Sequence, residues 1–437
     1  MKLSIVVPIG PNDQHFELFD QLQDKFKEHE IIVASSSQNI EAKKLEERVD
    51  QFLTIQDSSR AKALNAGARA ANNPLLWFVH LDSDLSLIDP SDLEKIDQEK
   101  INTFLLKFKD EQLKLNAKGA NFRTKYLGLP FGDQSFIIDK QLFNCMGEFN
   151  VGLYEGEDHE LIWKAKRIGV KINIIEKFII SSHEKYISSP VSQTLITLSK
   201  TVWQILQFRK QRATSVICHF IKDPTSAKSK TRLRKELTET FVNELNENLI
   251  EIVTDNIKEI KSDKSIHQIT VSENIHKDYA FTFSKKTDGL YLTSQEELGR
   301  SMKEVIKFNL KYFQKVVIVG SDIPLLTAQD IMDSLKVRSA KSVFYPTLDG
   351  GFCLLATSDN KILDVLDKIT YGTDRVLKDL TKNISQLFIN NKFYQDIDVK
   401  EDLSKVYKIL KEKDYSINAT YKKLHSLLYS NQKQFSE

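Results

Sequence analysis

Only three cysteines occur in 437 residues, Cys145, Cys218 and Cys353, far apart and with no CxxC pair. That scarcity excludes a disulfide scaffold and a cysteine-based zinc site, and it suits a reducing compartment. Cys218 and Cys353 lie in apolar, strand-like runs, where a thiol serves as a small core hydrophobe. An excess of one charge is also missing. Lys and Arg number 62 against 60 Asp and Glu, a net charge of +2, so no nucleic-acid footprint is indicated. No apolar run approaches the roughly 18 residues that an integral membrane segment needs. The chain enters a strand directly after Met1-Lys2, without a signal-peptide pattern, and a cytoplasmic protein is expected. Also absent are the G-x-x-x-x-G-K-[ST] phosphate loop, the G-x-G-x-x-G fingerprint and any Ser-His-Asp grouping. ATPase, dehydrogenase and hydrolase chemistry fall behind accordingly.

What is present is the composition of a folded protein, 41% hydrophobic and 28% charged. The length exceeds one ordinary core, and two domains of about 200 residues each are expected. Two apolar strands run straight into acid, Leu75 through Leu81 into Asp82-Ser83-Asp84, and Val316 through Gly320 into Ser321-Asp322. Each follows, well downstream, a strand that opens its half, at 3–8 and at 214–220. In open α/β sheets, ligands bind outside the carboxyl ends of the strands. A carboxylate there packs poorly but is well placed to hold a divalent cation against a diphosphate. The same arrangement in both halves predicts two nucleotide-handling domains, 1–211 and 212–437, with the junction near 211–213.

The first half alternates strands (3–8, 31–34, 52–55, 75–81) with helices (14–28, 39–49, 59–72), which predicts a mostly parallel sheet covered on both faces. Ser58 or Ser59 can cap the third helix. Later strands are expected at 103–108 and 134–138, and a helix at 157–168 ending at Gly169. A helix over 191–210 gathers Leu195, Leu198, Val202, Ile205 and Leu206 on one face, which is expected to dock on its own domain, with an interfacial membrane helix as the alternative. The second half predicts a helix at 229–248, strands at 249–253 and 279–283, and a helix at 294–313. The strand at 316–320, a helix at 327–336, strands at 342–345 and 352–356, and a helical, polar tail follow.

Asp82-Ser83-Asp84 at a strand end offers hard oxygen ligands that suit Mg²⁺ or Mn²⁺, which bind through one or two carboxylates plus substrate phosphates. Gly156-Glu157-Asp158-His159-Glu160-Leu161 puts an acidic pair on a helix N-terminus, where the helix dipole favours it. With Phe131-Gly132-Asp133-Gln134 between them, and with Ile5-Val6-Val7-Pro8, Ser59 through Ala68 and Gly147-Glu148-Phe149, residues 3–185 resemble family-2 glycosyltransferases of the GT-A fold. The resemblance is nearest to the subgroup of arsenosugar-biosynthesis type.

It implies inverting transfer from a nucleotide-diphospho-sugar donor to a small-molecule or glycan acceptor. Asp82 and Asp84 would hold the metal, and Asp158 would be the general base with Glu157 in support. Arg60 would sit near the nucleotide or its phosphates, and Pro8 and Ser35 would line the donor site. His183 is a further candidate metal ligand. Family members commonly carry an Asp after the second strand to read the base, and Val33-Ala34-Ser35-Ser36-Ser37 departs from that.

In the second half, Pro224 through Leu233 forms a basic loop feeding a helix, a sensible phosphate cradle. Together with Gly320-Ser321-Asp322, Asp349-Gly350-Gly351-Phe352, Tyr371-Gly372-Thr373 and Asp396-Ile397-Asp398, it is similar to a poorly characterised GT-A-like family of the DUF2064 type, related to nucleotidyltransferases. This resemblance, over 214–405, implies Lys230 and Arg232 on a triphosphate, Asp322 on metal and Asp349 near substrate. The glycine usual in the basic loop is replaced by Thr225-Ser226-Ala227. The fold expected is therefore two tandem GT-A-like, Rossmann-like αβα domains. The rival reading makes the second half a pyrophosphate-releasing nucleotidyltransferase, and a third makes the chain a non-catalytic carbohydrate-binding protein.

Overall fold

Continuous apolar runs become the interior strands of two sheets. The computed structural model describes residues 2–56, 59–181, 190–260, 264–382, 384–412 and 418–435. They divide into two units, Met1–Arg212 and Ala213–Glu437. The first unit contains β1 (Ser4–Ile9), β2 (Glu30–Ser36), β3 (Gln51–Ile55), β4 (Leu75–Phe78), β5 (Ile101–Phe108), β6 (Phe136–Asp139) and β7 (Ile172–Ser181). They form one seven-stranded sheet in the order β3-β2-β1-β4-β6-β5-β7. Only β6 runs against its neighbours β4 and β5. Every residue of β1 is buried, as expected of a strand covered on both faces. Pro8 is tolerated in this central strand because the β4 ladder stops at Val6.

The second unit repeats the plan. It contains β8 (Ser215–Phe220), β9 (Ser265–Ser272), β10 (Gly289–Thr293), β11 (Lys315–Val319), β12 (Ser342–Pro346), β13 (Phe352–Thr357) and β14 (Leu387–Ile389). Their order is β10-β9-β8-β11-β13-β12-β14, the first unit's order strand for strand, with β13 the antiparallel member. Both units are thus Rossmann-like α/β sandwiches of the expected GT-A-like class.

Several elements of the second half differ from expectation. Residues 249–253 are not a strand but the middle of the helix Glu239–Lys258, which begins ten residues later than the expected 229. This helix is buried around much of its circumference, Asn246, Asn248 and Asn256 included, because both faces are covered. Leu245, Leu249 and Ile252 pack on the C-terminal helices, while Val253 and Ile257 pack on the sheet. Residues 279–283 lie in the helix Glu273–Ser284, whose Ala280, Phe281 and Phe283 cover Ile269, Val271, Leu290 and Leu292. The strands they cover, β9 and β10, were hidden because β9 buries His267, Gln268 and Thr270 among its apolar residues.

The helix Pro190–Phe208 forms where a helix was expected, but its contacts are inverted. Thr201 and Gln204 are buried, whereas Val202 is 56% and Leu206 78% exposed. The side chains of Leu195 and Leu198 lie outside the described residues. The polar edge wins because Gln204 reaches the N-terminus of the helix Glu157–Ile168, where its amide stands beside Gly156.

Among the described residues, His159, His219 and His267 are buried away from the surface. Burial holds His159 and His267 down at about 4, and His219 well below its ordinary value. An unfolded imidazole takes a proton near 6.5, so it binds protons that the folded ring refuses, and stability is lost as pH falls from 6.5 toward 4. His267→Leu should therefore remove about 2–3 kcal/mol of the stability difference between pH 7 and pH 4.5, measured by urea unfolding.

Candidate active sites

In the first unit, chain direction brings the ends of β1, β2 and β4 to one sheet edge, and the helices Arg60–Ala70 and Glu157–Ile168 start there. Ser59 caps the first of these by accepting from Lys62 N–H. The Arg60 guanidinium then meets the buried Glu157 carboxylate at 2.5 Å. Burial opposes the Arg60 charge, but Asp158, Glu157 and Asp133 outweigh it and raise its pKa. Asp158 is half-buried and doubly held, with Gly132 N–H donating to Oδ2 at 2.6 Å and His159 N–H to Oδ1 at 2.8 Å. A Cβ at position 132 would stand 2.8 Å from His80 Cε1 and 2.9 Å from Asp158 Oδ2, so only glycine permits this approach. His80 in turn faces Asp133 at 3.3 Å.

Asp158, Glu157, Arg60, Asp133 and His80 thus form one cluster. Asp133 and His80 were not among the expected site residues, although Gly132-Asp133-Gln134 was visible as a motif.

Asp82 and Asp84 follow β4 at the same edge. Asp84 bridges to Ile180 near the end of β7. Ser86 N–H donates to its Oδ1 at 2.9 Å, and Lys109 Nζ stands 3.7 Å from Oδ2. Partial burial works against its charge, but these partners prevail and hold the carboxyl below its ordinary range. Asp82 is exposed. Ser35 is buried at the end of β2, its hydroxyl donating to Ser36 O at 3.3 Å, and Pro8 is buried in β1. His183 lies outside the described residues.

The second unit gathers its residues around a cavity of about 620 Å³ at the corresponding edge, lined among others by Lys230, Arg232, Asp322, Asp349, Asp396 and Asp398. Arg234 pins the loop beneath by donating to Pro224 O at 2.6 Å and Ser229 O at 2.8 Å. Lys230 is only 8% exposed in its side chain. Its ammonium donates to Ile397 O at 2.6 Å and pairs with Asp322 and Asp398, each at 3.1 Å. Burial opposes this charge too, yet the two carboxylates keep its pKa raised.

The Lys230 backbone sits at φ 48°, a left-handed conformation that a non-glycine residue adopts at a cost of about 1 kcal/mol or more. The three side-chain contacts hold it there. Arg232 is more exposed and reaches Asp398 at 3.8 Å. Asp349 is exposed, with Thr347 hydroxyl donating to its Oδ1 at 2.5 Å and Gly351 N–H at 3.0 Å. Asp402 orders the neighbouring turn by accepting from the Asp398 and Val399 N–H groups, each at 3.1 Å.

Asp396 and Asp398 were legible as a D-x-D but were not expected to be site residues. Their importance lies in placement, after β14 and facing Asp322 across the edge. Burial first, then Asp349, Asp322 and Asp398, push the Asp396 carboxyl up to about 7. The carboxylate side of this cavity, formed by Asp322, Asp349, Asp396 and Asp398, fits a hard divalent cation. Among the described residues no three His, Cys, Asp or Glu side chains form a ready cage. An ion here would rest on one or two carboxylates and complete its shell with phosphate oxygens and water. Asp84, held ionised at its edge, fits the same role in the first unit.

A protein family described as "Uncharacterized protein conserved in bacteria (DUF2064)" matches residues 258–373, inside the second unit. No curated protein matches. Among solved structures, a protein from Desulfovibrio desulfuricans G20, provisionally named a nucleotide-diphospho-sugar transferase, is 21% identical. It covers 51% of this chain and 97% of its own, with a TM-score of 0.45. A cytidylyltransferase from Leptospira borgpetersenii serovar Hardjo-bovis is 15% identical over 52% of this chain and 97% of its own, at 0.32. A mannosyltransferase from Pyrobaculum calidifontis, solved with GDP-Man and Mn²⁺, is 12% identical over 47% of this chain and 63% of its own, at 0.35. At these identities and scores no activity follows from the likeness.

Removing the Lys230 charge should expose the repulsion it offsets. Lys230→Met is expected to lower stability by up to about 3 kcal/mol, because Asp322 and Asp398 lose the buried ammonium between them. Millimolar Mg²⁺ should raise the unfolding midpoint of the variant more than that of the parent protein.

Proposed function

We propose that the first unit is an inverting glycosyltransferase acting on a nucleotide-diphospho-sugar, and that the second unit handles a second nucleotide. The supporting observation is the Asp158 cluster. Both Asp158 oxygens accept one N–H, and each keeps a lone pair with which to take a proton. In the proposed reaction Asp158 removes the proton from an acceptor hydroxyl. The freed oxygen attacks the anomeric carbon on one face while the bond to the diphosphate breaks on the other. Glu157 fixes Arg60, whose guanidinium stands beside the leaving phosphates. Asp82 and Asp84 would hold Mg²⁺ or Mn²⁺, which supplies Lewis-acid stabilisation of the departing diphosphate, worth several kcal/mol.

The second unit supports a reading of its own, nucleotidyl transfer to a small phosphorylated substrate with release of pyrophosphate. Its cavity combines cationic Lys230 and Arg232 with carboxylates on three loops, a set that suits a triphosphate and its cation. Neither reading needs a membrane-spanning segment, and no helix among the described residues is long and apolar enough to cross a membrane.

A panel of UDP-, GDP-, CDP- and dTDP-sugars with Mn²⁺ and candidate acceptors tests the first reading through release of nucleoside diphosphate. One donor class should turn over, and Asp158→Asn should lower kcat by about 10²–10⁴-fold, the usual worth of a general base. Asp84→Ala should abolish the metal dependence. Pyrophosphate release from nucleoside triphosphates tests the second reading, and Lys230→Met should suppress it while leaving sugar transfer intact. Turnover indifferent to Asp158 and Asp84 would refute the glycosyltransferase assignment.

A further inference from the structure

Exposed apolar side chains concentrate in two segments of the first unit that flank the Asp158 cluster. In the helix Lys114–Phe122 and its continuation Arg123–Leu127, Leu115 is 78%, Phe122 59%, Tyr126 73% and Leu127 51% exposed. Leu115, Phe122 and Tyr126 recur at intervals of seven and four, which aligns them on one helical stripe. The Phe122 and Tyr126 rings meet at 4.6 Å between centroids, tilted 38° to one another. In the helix Pro190–Phe208, Val202, Trp203 and Leu206 form a second patch, with Trp203 60% exposed.

One seam joins the two segments. Arg123 lies over the Phe131 ring at 3.5 Å, Phe131 meets His159 at 5.2 Å, and His159 meets Phe208 at 6.5 Å. Lys166 in the intervening helix also donates to Leu127 O at 2.8 Å.

Charge in these segments is one-sided, although the chain as a whole is nearly balanced. Residues 114–127 hold Lys114, Lys118, Arg123 and Lys125 with no Asp or Glu. Residues 199–212 hold Lys200, Arg209, Lys210 and Arg212, again with no acid. Lys125 pairs with Glu176 at 3.3 Å and Lys200 with Glu155 at 2.6 Å, both acids outside the segments and exposed. Two apolar patches, one bearing Phe122 and Tyr126 and the other Trp203, each amid cations, match a surface with negative headgroups above hydrocarbon.

We infer that these patches dock the first unit on an anionic phospholipid bilayer, lying on the membrane without crossing it. The cations attract the headgroups, and Trp203, Leu206, Phe122 and Tyr126 enter the headgroup boundary. The inference concerns where the unit sits and holds whatever reaction it performs.

Cosedimentation of the full chain with vesicles of mixed phosphatidylglycerol and phosphatidylcholine, against pure phosphatidylcholine, tests it. Binding is expected only with the anionic lipid and should weaken as salt rises. Trp203→Ser with Leu206→Ser, and separately Arg209→Glu with Lys210→Glu, should each lower partitioning by about tenfold or more. The unfolding midpoints of these variants should stay unchanged, since all four side chains are exposed. Trp203 emission should shift to the blue on vesicles. Equal binding to both vesicles, no binding to either, or full binding by both variants would overturn the inference. So would an apolar variant that converts a dimer to a monomer without any vesicle binding, which would make the patches a contact between two copies.

Discussion

Parallel pairing of the opening strands governs both units. Strands that run the same way deliver all their carboxyl ends to one edge, and the helices that return between them cover the faces but leave that edge open. Side chains placed there have no ladder to join and little apolar surface to cover. In the first unit this edge receives Asp82 and Asp84 after β4, Asp133 ahead of β6 and Asp158 at a helix start. In the second it receives Asp322 after β11, Asp349 ahead of β13, and Asp396 and Asp398 after β14. The order of the strands, identical in the two sheets, puts acids at corresponding stations without any clear sequence repeat.

The two edges neutralise their charge differently. In the first unit several acids take separate partners: Arg60 for Glu157, Gly132 N–H for Asp158, and Ser86 N–H with Lys109 for Asp84. In the second a single buried ammonium, Lys230, serves two carboxylates, and the strained φ of its backbone is maintained by those contacts. Burial, and then the neighbouring Asp349, Asp322 and Asp398, push the Asp396 carboxyl up to about 7. A cation bound with a nucleotide would relieve that repulsion.

Much of this plan is legible in the sequence because it rests on short, strong patterns. An apolar run ending in acid marks both the strand and the sheet edge to which it delivers that acid, and the helix Glu157–Ile168 carries its own glycine stop at Gly169. Where the patterns mislead, tertiary context is responsible. Leu249–Val253 reads as a strand because the helix containing it is covered on both faces. β9 is disguised by His267, Gln268 and Thr270, polar residues that the sheet nonetheless buries. Val202 and Leu206 read as a docking face, yet Gln204 secures the helix from its polar side. Asp396 and Asp398 could be seen but not weighted, since only the fold brings them opposite Asp322 and Lys230.

The central claim is that the chain carries two independent nucleotide sites, one at each sheet edge. Equilibrium binding of nucleotides to the full chain in Mn²⁺, with stoichiometry as the readout, tests it most directly. The account predicts two sites per chain, one lost in Asp84→Ala and the other in Lys230→Met. A single site, or two sites lost together in either variant, would contradict it.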